Sequence, residues 1–233
     1  MGVREYLRTP VLLALLVVLP AYMILHISSV TPDVPIPLAI VDGVNTASLP
    51  DAYAVLMTPM AGALVGGIAG LFLMRMTRDA DARLVLTGYR PAEVVLARFG
   101  LLGGVTAVVT LLSVAILAWQ FVPEQPAWFA LAVLLASLTY AMLGVLAGTV
   151  LDRLAGVYVM LFLPTLDVFL FENPSVSRTK WYAPLLPGHF AVRAVFQAGF
   201  TGGVDLAGVG WALGYLAVLV AVATVVFYRS MKH

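Results

Sequence analysis

RMTRDADARLVLTGYRPAEVVLAR, residues 75–98, is a charged island between two long apolar runs. It carries five of the thirteen Lys and Arg residues, whereas the flanking runs 52–74 and 99–122 carry no charged residue. Positive residues in short loops stay on the cytoplasmic side of a membrane. The island therefore predicts a cytosolic loop between two transmembrane helices.

The island also has the pattern of a structured element. ADARLVL, residues 80–86, has an apolar and a charged face at helical spacing, and Gly88 with Pro91 indicates a turn before the next helix. Topology alone requires no amphipathic helix, so residues 79–93 are predicted to dock a cytosolic partner. For Arg75 and Arg98 we expect only topology anchoring and contact with lipid headgroups.

The composition bounds the class of protein. Hydrophobic residues make up 62% of the chain and charged residues 11%, and the mean hydropathy is +1.01. These values predict an integral membrane protein. The chain has no cysteine and three scattered histidines, which excludes disulfides and thiolate chemistry and indicates no metal cluster. The net charge of +1 is uninformative, because the positive charge is sorted by side, and no nucleic-acid partner is implied.

The apolar pattern predicts six transmembrane helices in a single domain, residues 1–233. A helix needs about 20 residues to cross the bilayer. A signal peptide is the weaker interpretation of the first segment, because its apolar part is too long. Pro20 predicts a kink there, and the short link PEQP, residues 123–126, predicts a hairpin. The predicted spans are residues 11–30, 52–74, 99–122, 127–150, 154–171 and 206–227.

The distribution of positive charge predicts that both termini are cytosolic. In this arrangement ten Lys and Arg residues lie inside and three outside, a bias that the inverted topology does not reproduce. The inside set is Arg4, Arg8, the five island arginines, Arg153, Arg229 and Lys232, and the outside set is Arg178, Lys180 and Arg193.

Two features surround the second predicted span. PLAIVD, residues 37–42, is typical of a short strand in the outer loop. Within the span, glycines recur at three- and four-residue spacing, which lets two helices approach closely in lipid. We favour packing within the chain over a dedicated dimer face. The glycines are Gly62, Gly66, Gly67 and Gly70.

The segment 172–205 is aromatic and amphipathic. GHFAVRAVFQA, residues 188–198, has helical spacing, so we expect a helix that lies in or dips into the outer interface. Trp181 and Tyr182 are expected to anchor it there.

Asp167 is the acidic residue of an otherwise apolar span, and an ionisable residue at this depth is a candidate functional group. Pro164 is expected to end the helix before it, so a solvated structural Asp is favoured over a proton or substrate site. His26 and His189 lack a carboxylate partner at helical spacing and are expected to be satisfied polar residues. For Tyr140, Met142, Met160 and Phe162 we expect core packing or lipid contact rather than a substrate path.

Three stretches occur in an order that resembles the permease subunit of ABC-2 type exporters. After the second span come acidic, leucine-rich and basic residues in the order Asp79, Asp81, Leu84, Thr87, Arg90, Glu93 and Arg98. IPLAIVDG, residues 36–43, is similar to the strand that follows the first span in that family, and WYAPLLPGHFAVRAVF, residues 181–196, is similar to its re-entrant segment. Gly88 stands where the family usually has proline.

The resemblance implies an all-α membrane fold of the ABC-2, type V exporter-like kind. Six transmembrane helices would carry a cytosolic coupling helix between helices 2 and 3 and a re-entrant or interfacial segment between helices 5 and 6. The chain would be half of a plasma-membrane exporter of a hydrophobic or amphipathic molecule such as a drug, antibiotic or lipid-like compound. It would pair with a second permease copy or paralogue.

The resemblance further implies that ATP and Mg bind to a separate ATP-binding subunit. Coupling to that ATPase would involve Asp79, Asp81, Arg83, Leu84, Thr87, Arg90 and Glu93. The substrate pathway would involve Asp167, His189 and Arg193.

The chain itself lacks a Walker A loop, because neither Lys180 nor Lys232 follows the required glycines. No cofactor or enzymatic activity is therefore expected in this chain. The alternative function is an ion- or proton-coupled carrier using Asp167, although such carriers usually need several buried charges. An intramembrane enzyme is least favoured, because no nucleophile motif, His-Glu-x-x-His motif or carboxylate pair is visible in or beside a span.

Overall fold

The computed structural model describes residues 17–38, 46–86, 91–172 and 183–230. Within them, five helices are long and apolar enough to cross a membrane, and Val17–His26 is a shorter apolar helix. The protein is therefore an all-α, multi-pass membrane protein. The start of the first predicted span, the residues Thr87 and Arg90, and the pair Trp181 and Tyr182 lie outside the described residues.

The described residues form seven helices. They are α1, residues 17–30; α2, Leu49–Leu86; α3, Pro91–Leu117; α4, Pro126–Val150; α5, Arg153–Pro164, which continues as the π-helix Thr165–Phe171; α6, His189–Phe200; and α7, Leu206–Ser230. A 3-10 turn at Ala183–Leu185 precedes α6.

The helix α2 is the centre of the bundle. In the most apolar 18-residue stretch of α2, 94% is buried inside the bundle, whereas the corresponding share for α7 is 17%. Its most extensive contact is with α4, and it also packs against α3, α5 and α6. A helix that is apolar all round suits this place, because every face meets another helix.

Glycines allow α2 and α4 to touch backbone to backbone. A Cβ on Gly70 would lie 2.1 Å from the carbonyl oxygen of Ala141, and a Cβ on Gly144 would lie 2.0 Å from that of Gly67. Gly62 and Gly66 likewise face Ser137. The prediction that the glycines of this span serve packing within the chain is confirmed.

Two of the predicted boundaries are wrong. The third span ends at Leu117 rather than at residue 122, because residues 118–125 turn away to meet the end of α6. There the N–H groups of Glu124 and Gln125 donate to the carbonyls of Gly199 and Ala198 at 3.1 and 2.9 Å.

The short strand in the loop between α1 and α2 also lies earlier than predicted. Strand β1 is Pro35–Ile36, paired antiparallel with β2, Ala47–Ser48. Pro37 and Leu38 follow β1 outside any strand, and residues 39–42 of the predicted strand lie outside the described residues.

Both prolines expected to disturb a helix are followed by π-helical turns. Pro20 precedes the turn Tyr22–His26, and Pro164 precedes Thr165–Phe171. The regular α-helix ends at Pro164 as expected, but a π-helix continues the chain from Thr165 to Phe171. Proline lacks the N–H of the regular ladder, and the chain continues with wider turns instead of stopping.

The two ends of the bundle differ in charge. At the basic end the Arg75 guanidinium donates to the carbonyl of Leu151, and the Arg153 guanidinium lies 5.3 Å from the ring centroid of Phe72. These contacts tie the end of the α2 span to the turn between α4 and α5. The helix order places Arg75, Arg98, Arg153 and Arg229 at the basic end and Asp33, Asp51, Glu124 and Asp205 at the acidic end.

The substitution Gly144→Ala tests the backbone contact between α2 and α4. We expect it to destabilise the fold by about 1–3 kcal/mol, the usual cost of overpacking, because the clash is with backbone that cannot rotate away. The measurement is the midpoint of thermal unfolding of the purified protein in detergent.

Gly104→Ala on α3 is the matched control, since its Cβ would meet nothing within 4 Å. It should leave the midpoint unchanged or raise it, because alanine is the better helix former by about 1 kcal/mol. Equal midpoints for the two variants would contradict the proposed role of the glycine contact.

Candidate functional site

Four polar side chains meet inside the bundle, and we call them the buried polar cluster: Tyr140, Asp167, Glu172 and His189. The exposed fraction is 2% for Asp167, 3% for Glu172 and 4% for His189. The expectation of a solvated Asp167 is therefore wrong, because the π-helix carries its side chain into the bundle.

Asp167 accepts two hydrogen bonds on one oxygen. Its Oδ2 receives the hydroxyl of Tyr140 on α4 and the backbone N–H of Gly188 at 2.7 Å. Its Oδ1 is buried and has no hydrogen-bond partner among the described residues. A buried polar atom without a partner is costly and marks a place where another group or a proton can bind.

The π-helix brings the two acidic residues to the same side. The backbone N–H of Glu172 donates to the carbonyl of Asp167 at 3.2 Å, a spacing of five residues. In an α-helix these two side chains would point in different directions, whereas a π-helical turn aligns residues five apart. The π-helical geometry after Pro164 therefore brings Asp167 and Glu172 into the same cluster.

Glu172 is paired with His189. Nδ1 of His189 lies 2.8 Å from Oε1 of Glu172, a distance at which a protonated Nδ1 donates to a carboxylate. The expectation that His189 is a satisfied polar residue is confirmed. Its partner stands 17 residues earlier, so spacing along one helix could not reveal the pair.

The N-terminus of α6 completes the electrostatics of the cluster. Free N–H groups and the helix dipole make such a terminus favourable for a negative group, and Gly188 directly precedes it. A Cβ at Gly188 would lie 3.0 Å from Oδ2 of Asp167 and 3.2 Å from the hydroxyl of Tyr140. A residue larger than glycine would push Asp167 away from the terminus.

The cluster lies near the middle of the bundle. Asp167 follows the start of α5 by 14 residues, about 21 Å at 1.5 Å per residue, and Tyr140 precedes the end of α4 by 10 residues, about 15 Å. Because α6 begins here and ends beside Gln125, it runs from the middle of the bundle to the acidic end. It is a half-length helix.

The prediction of a helix at residues 188–198 is confirmed by α6. Most of α6 is buried and packs against α2, α4 and α7. This packing is possible because the residues on its buried face are mostly small and apolar. The helix was expected either to lie in the outer interface or to dip into the membrane as a re-entrant segment. The burial of α6 favours the second arrangement. Arg193 lies on the half-buried face of α6, in a cavity between α6 and α7.

Five of the seven predicted coupling residues are among the described residues, at the far end of α2 and the start of α3. The helix α2 runs eleven residues beyond Arg75, so it extends about 16 Å past its apolar span. The prediction of a helix in the island is confirmed, but it is continuous with the second span. Asp79, Asp81, Arg83 and Leu84 belong to this extension, and Glu93 is exposed in the first turn of α3.

The sequence argument missed Glu172 and undervalued Tyr140. In the sequence, Glu172 belongs to the segment that follows the fifth predicted span. For Tyr140 the sequence predicts core packing or lipid contact. Tyr140 does lie in the core, as do Met142 and Met160. Phe162 is exposed, as lipid contact requires. A signal was available in the five-residue spacing of Asp167 and Glu172 after a proline.

The cluster brings a phenol, two carboxylates and an imidazole together in the bundle. Two carboxylates and one imidazole can share protons, while the described residues hold no group of three or more His, Cys, Asp or Glu side chains suited to a metal ion. A comparison with known protein-family models found no match, and a comparison with curated proteins found none either.

His189→Ala tests the buried pair. It leaves the carboxylate of Glu172 buried without its partner, so we expect a loss of about 3–5 kcal/mol in the free energy of unfolding. The double variant Glu172→Gln with His189→Ala should lose less than the sum of the single variants, as contacting residues do. Chemical unfolding in detergent measures all three.

His26→Ala provides the control, because this exposed histidine stacks on Tyr22 at the surface. Its unfolding free energy should change by less than about 0.5 kcal/mol, which is typical of surface substitutions. Strict additivity of the two cluster variants would contradict a direct interaction between Glu172 and His189.

Proposed function

We propose that this chain is the membrane-spanning permease subunit of an ATP-binding cassette exporter. It would form the translocation pathway for a hydrophobic or amphipathic small molecule, and a separate ATPase subunit would supply the energy. The observation that carries the proposal is the continuity of α2. One helix forms both the charged extension and the central, most buried element of the bundle.

The extension has the properties of a lever. A displacement of residues 76–86 is transmitted along a continuous helix to Gly70 and Gly62, where the backbones of α2 and α4 touch. Packed interfaces of this kind shift between discrete arrangements instead of deforming continuously. A push on the extension would therefore move α2 and α4 together against the peripheral helices α3 and α7.

Charge sorting supports a cytosolic position for the lever. Arg75, Arg153 and Arg229 mark the basic end of the bundle, and short basic segments favour the cytoplasmic side of the plasma membrane. In this orientation the coupling residues face a cytosolic ATPase, and both termini are cytosolic. A second copy of the chain or a paralogue would complete the transporter.

The half-length helix α6 supports the same assignment. It starts at the buried polar cluster and ends beside Gln125, which fits a re-entrant segment between the fifth and sixth spans. Irregular backbone at membrane depth is tolerated where it is buried in protein or lines a cavity. The two ends of residues 183–188 meet this condition, because Ala183 and Gly188 are buried, whereas Pro184 and Leu185 between them are exposed.

The experiment separates docking from transmission. Thr77→Pro lies between the α2 span and the docking residues, and proline inside a helix costs about 3 kcal/mol and breaks its continuity. We expect an ATP-binding cassette protein encoded by a neighbouring reading frame to co-purify with this variant. Efflux of an amphipathic fluorescent dye from cells should fall to the background level.

Charge reversal at Asp81→Lys with Arg83→Glu should instead abolish co-purification, and Thr77→Ala is the neutral control for the proline variant. Undiminished association and efflux in both the proline and the charge-reversal variants would exclude the lever.

A second candidate function is a proton-coupled carrier, which the buried polar cluster favours. The unpartnered Oδ1 of Asp167 and the neighbouring Glu172–His189 pair form a site able to take up a proton inside the membrane domain. The ATP-driven exporter remains the better-supported function, since a coupled carrier gives no role to the long charged extension of α2.

Asp167→Asn distinguishes the two functions. For the exporter, dye efflux stops when cellular ATP is depleted with the proton gradient clamped, and the asparagine variant retains ATP-dependent efflux. Asparagine can still accept the hydrogen bonds of Tyr140 and Gly188. Efflux that survives ATP depletion and is lost in Asp167→Asn would establish the carrier instead.

A further inference from the structure

A cavity of about 250 Å³ opens between α6 and α7 near the acidic end. Its lining combines one cationic, one carboxylate and one amide side chain with two aromatic rings and small residues. It comprises Phe190, Arg193, Ala194, Gln197, Asp205, Ala207, Gly208 and Trp211. The cavity is large enough for a polar headgroup and too small for a whole lipid.

The polar groups of the cavity are held in place by the backbone around them. The carboxylate of Asp205 accepts the N–H of Ala207 at 3.0 Å and so caps α7, while Oε1 of Gln197 accepts the N–H of Asp205 at 3.0 Å. Because Oε1 of Gln197 accepts this hydrogen bond, the amide nitrogen is the group of Gln197 that can donate to a ligand. Arg193 lies one helical turn before Gln197 on the same face of α6.

Aromatic rings form the opposite side of the cavity. Phe190 and Trp211 stack with centroids 6.2 Å apart and an angle of 22° between their planes. The indole is 66% exposed, so it faces outward from the bundle while bounding the cavity. An indole face attracts an ammonium group, and a neighbouring carboxylate strengthens this preference.

An exposed, largely apolar face of α7 leads away from the cavity. Ala207, Trp211, Gly214 and Val218 share one face of this helix at helical spacing. A Cβ at Gly214 would meet nothing within 4 Å, and the side chain of Val218 is 63% exposed. The helix α7 is the least buried of the candidate spans among the described residues, so an apolar chain could lie along this face.

The cavity is also in contact with the buried polar cluster. The ring of Phe190 meets that of His189 edge to face at 5.0 Å, and Arg193 lies one turn further along α6. Phe190 therefore connects the lining of the cavity with the buried polar cluster at the start of α6.

We propose that this cavity binds the headgroup of a zwitterionic amphiphile, with an ammonium beside Asp205 and Trp211, a phosphate or carboxylate beside Arg193 and Gln197, and the chain along α7. Both signs of charge are present in the lining, and guanidinium and amide groups suit an anionic oxygen. Either a bilayer lipid or a transported molecule has this chemistry. The proposal rests on the cavity alone and does not depend on an ATPase partner.

Native mass spectrometry of the full chain in detergent tests the proposal. The probes are phosphatidylethanolamine and phosphatidylglycerol with the same acyl chains. We expect phosphatidylethanolamine to bind about tenfold more tightly, as expected when one charge-assisted hydrogen bond distinguishes two ligands. Arg193→Gln should weaken this binding about tenfold, and Asp205→Asn should remove the preference over phosphatidylglycerol.

The variants are chosen to leave the fold intact. Asparagine caps a helix as well as aspartate does, so Asp205→Asn removes the charge and retains the start of α7. Arg229→Gln, at the other end of α7, is the control for general loss of positive charge and should leave phosphatidylethanolamine binding unchanged. Thermal unfolding of each variant checks its fold.

The source of the ligand is identified in the same spectra. A lipid that co-purifies with the wild-type chain and is missing from Arg193→Gln comes from the bilayer, whereas binding seen only on adding lysophosphatidylethanolamine indicates a supplied amphiphile. Equal affinities for both headgroups, or Arg193→Gln and Arg229→Gln behaving alike, would overturn the proposal.

Discussion

The rest of the structure depends on the backbone contact between α2 and α4. Helices in a membrane gain little from burying apolar surface against one another, so close packing has to supply the stability. Gly70 facing Ala141 and Gly144 facing Gly67 remove the side chains that would hold the helices apart. Once these two helices are joined, α3, α5 and α6 pack around them, and α2 is almost completely buried along its apolar span.

The second constraint is the need to satisfy polar groups inside the bundle. A half-length helix such as α6 exposes free N–H groups at membrane depth, and these require an acceptor. Asp167 provides one for Gly188, while Tyr140 and the Glu172–His189 pair fill the space beside it. The π-helix after Pro164 is the local distortion that makes this arrangement possible, so the irregular segment and the polar cluster explain each other.

These two constraints connect the two ends of the molecule. The α2 extension at the basic end is continuous with α2, and α2 is packed on α4. The hydroxyl of Tyr140 on α4 donates to Asp167 in the π-helix after α5, and Asp167 accepts the N–H of Gly188 just before α6. The cavity near the acidic end is built on α6 and α7, one helical turn from that cluster. A physical route of direct contacts therefore runs from the charged extension to the candidate ligand cavity.

The sequence alone was sufficient for features that depend on a single segment. Long uncharged runs predicted the transmembrane helices, and the arginines of residues 75–98 indicated one end of the bundle. The spacing of the glycines from Gly62 to Gly70 predicted a close contact between helices. Each of these follows from the local hydrophobicity, charge or size of neighbouring residues. The tertiary structure alone decided which helix the glycines meet, that Glu172 pairs with His189, and that Arg193 and Asp205 line one cavity. These pairings join residues from different helices, and their partners depend on how the helices rotate and cross, which no local pattern encodes.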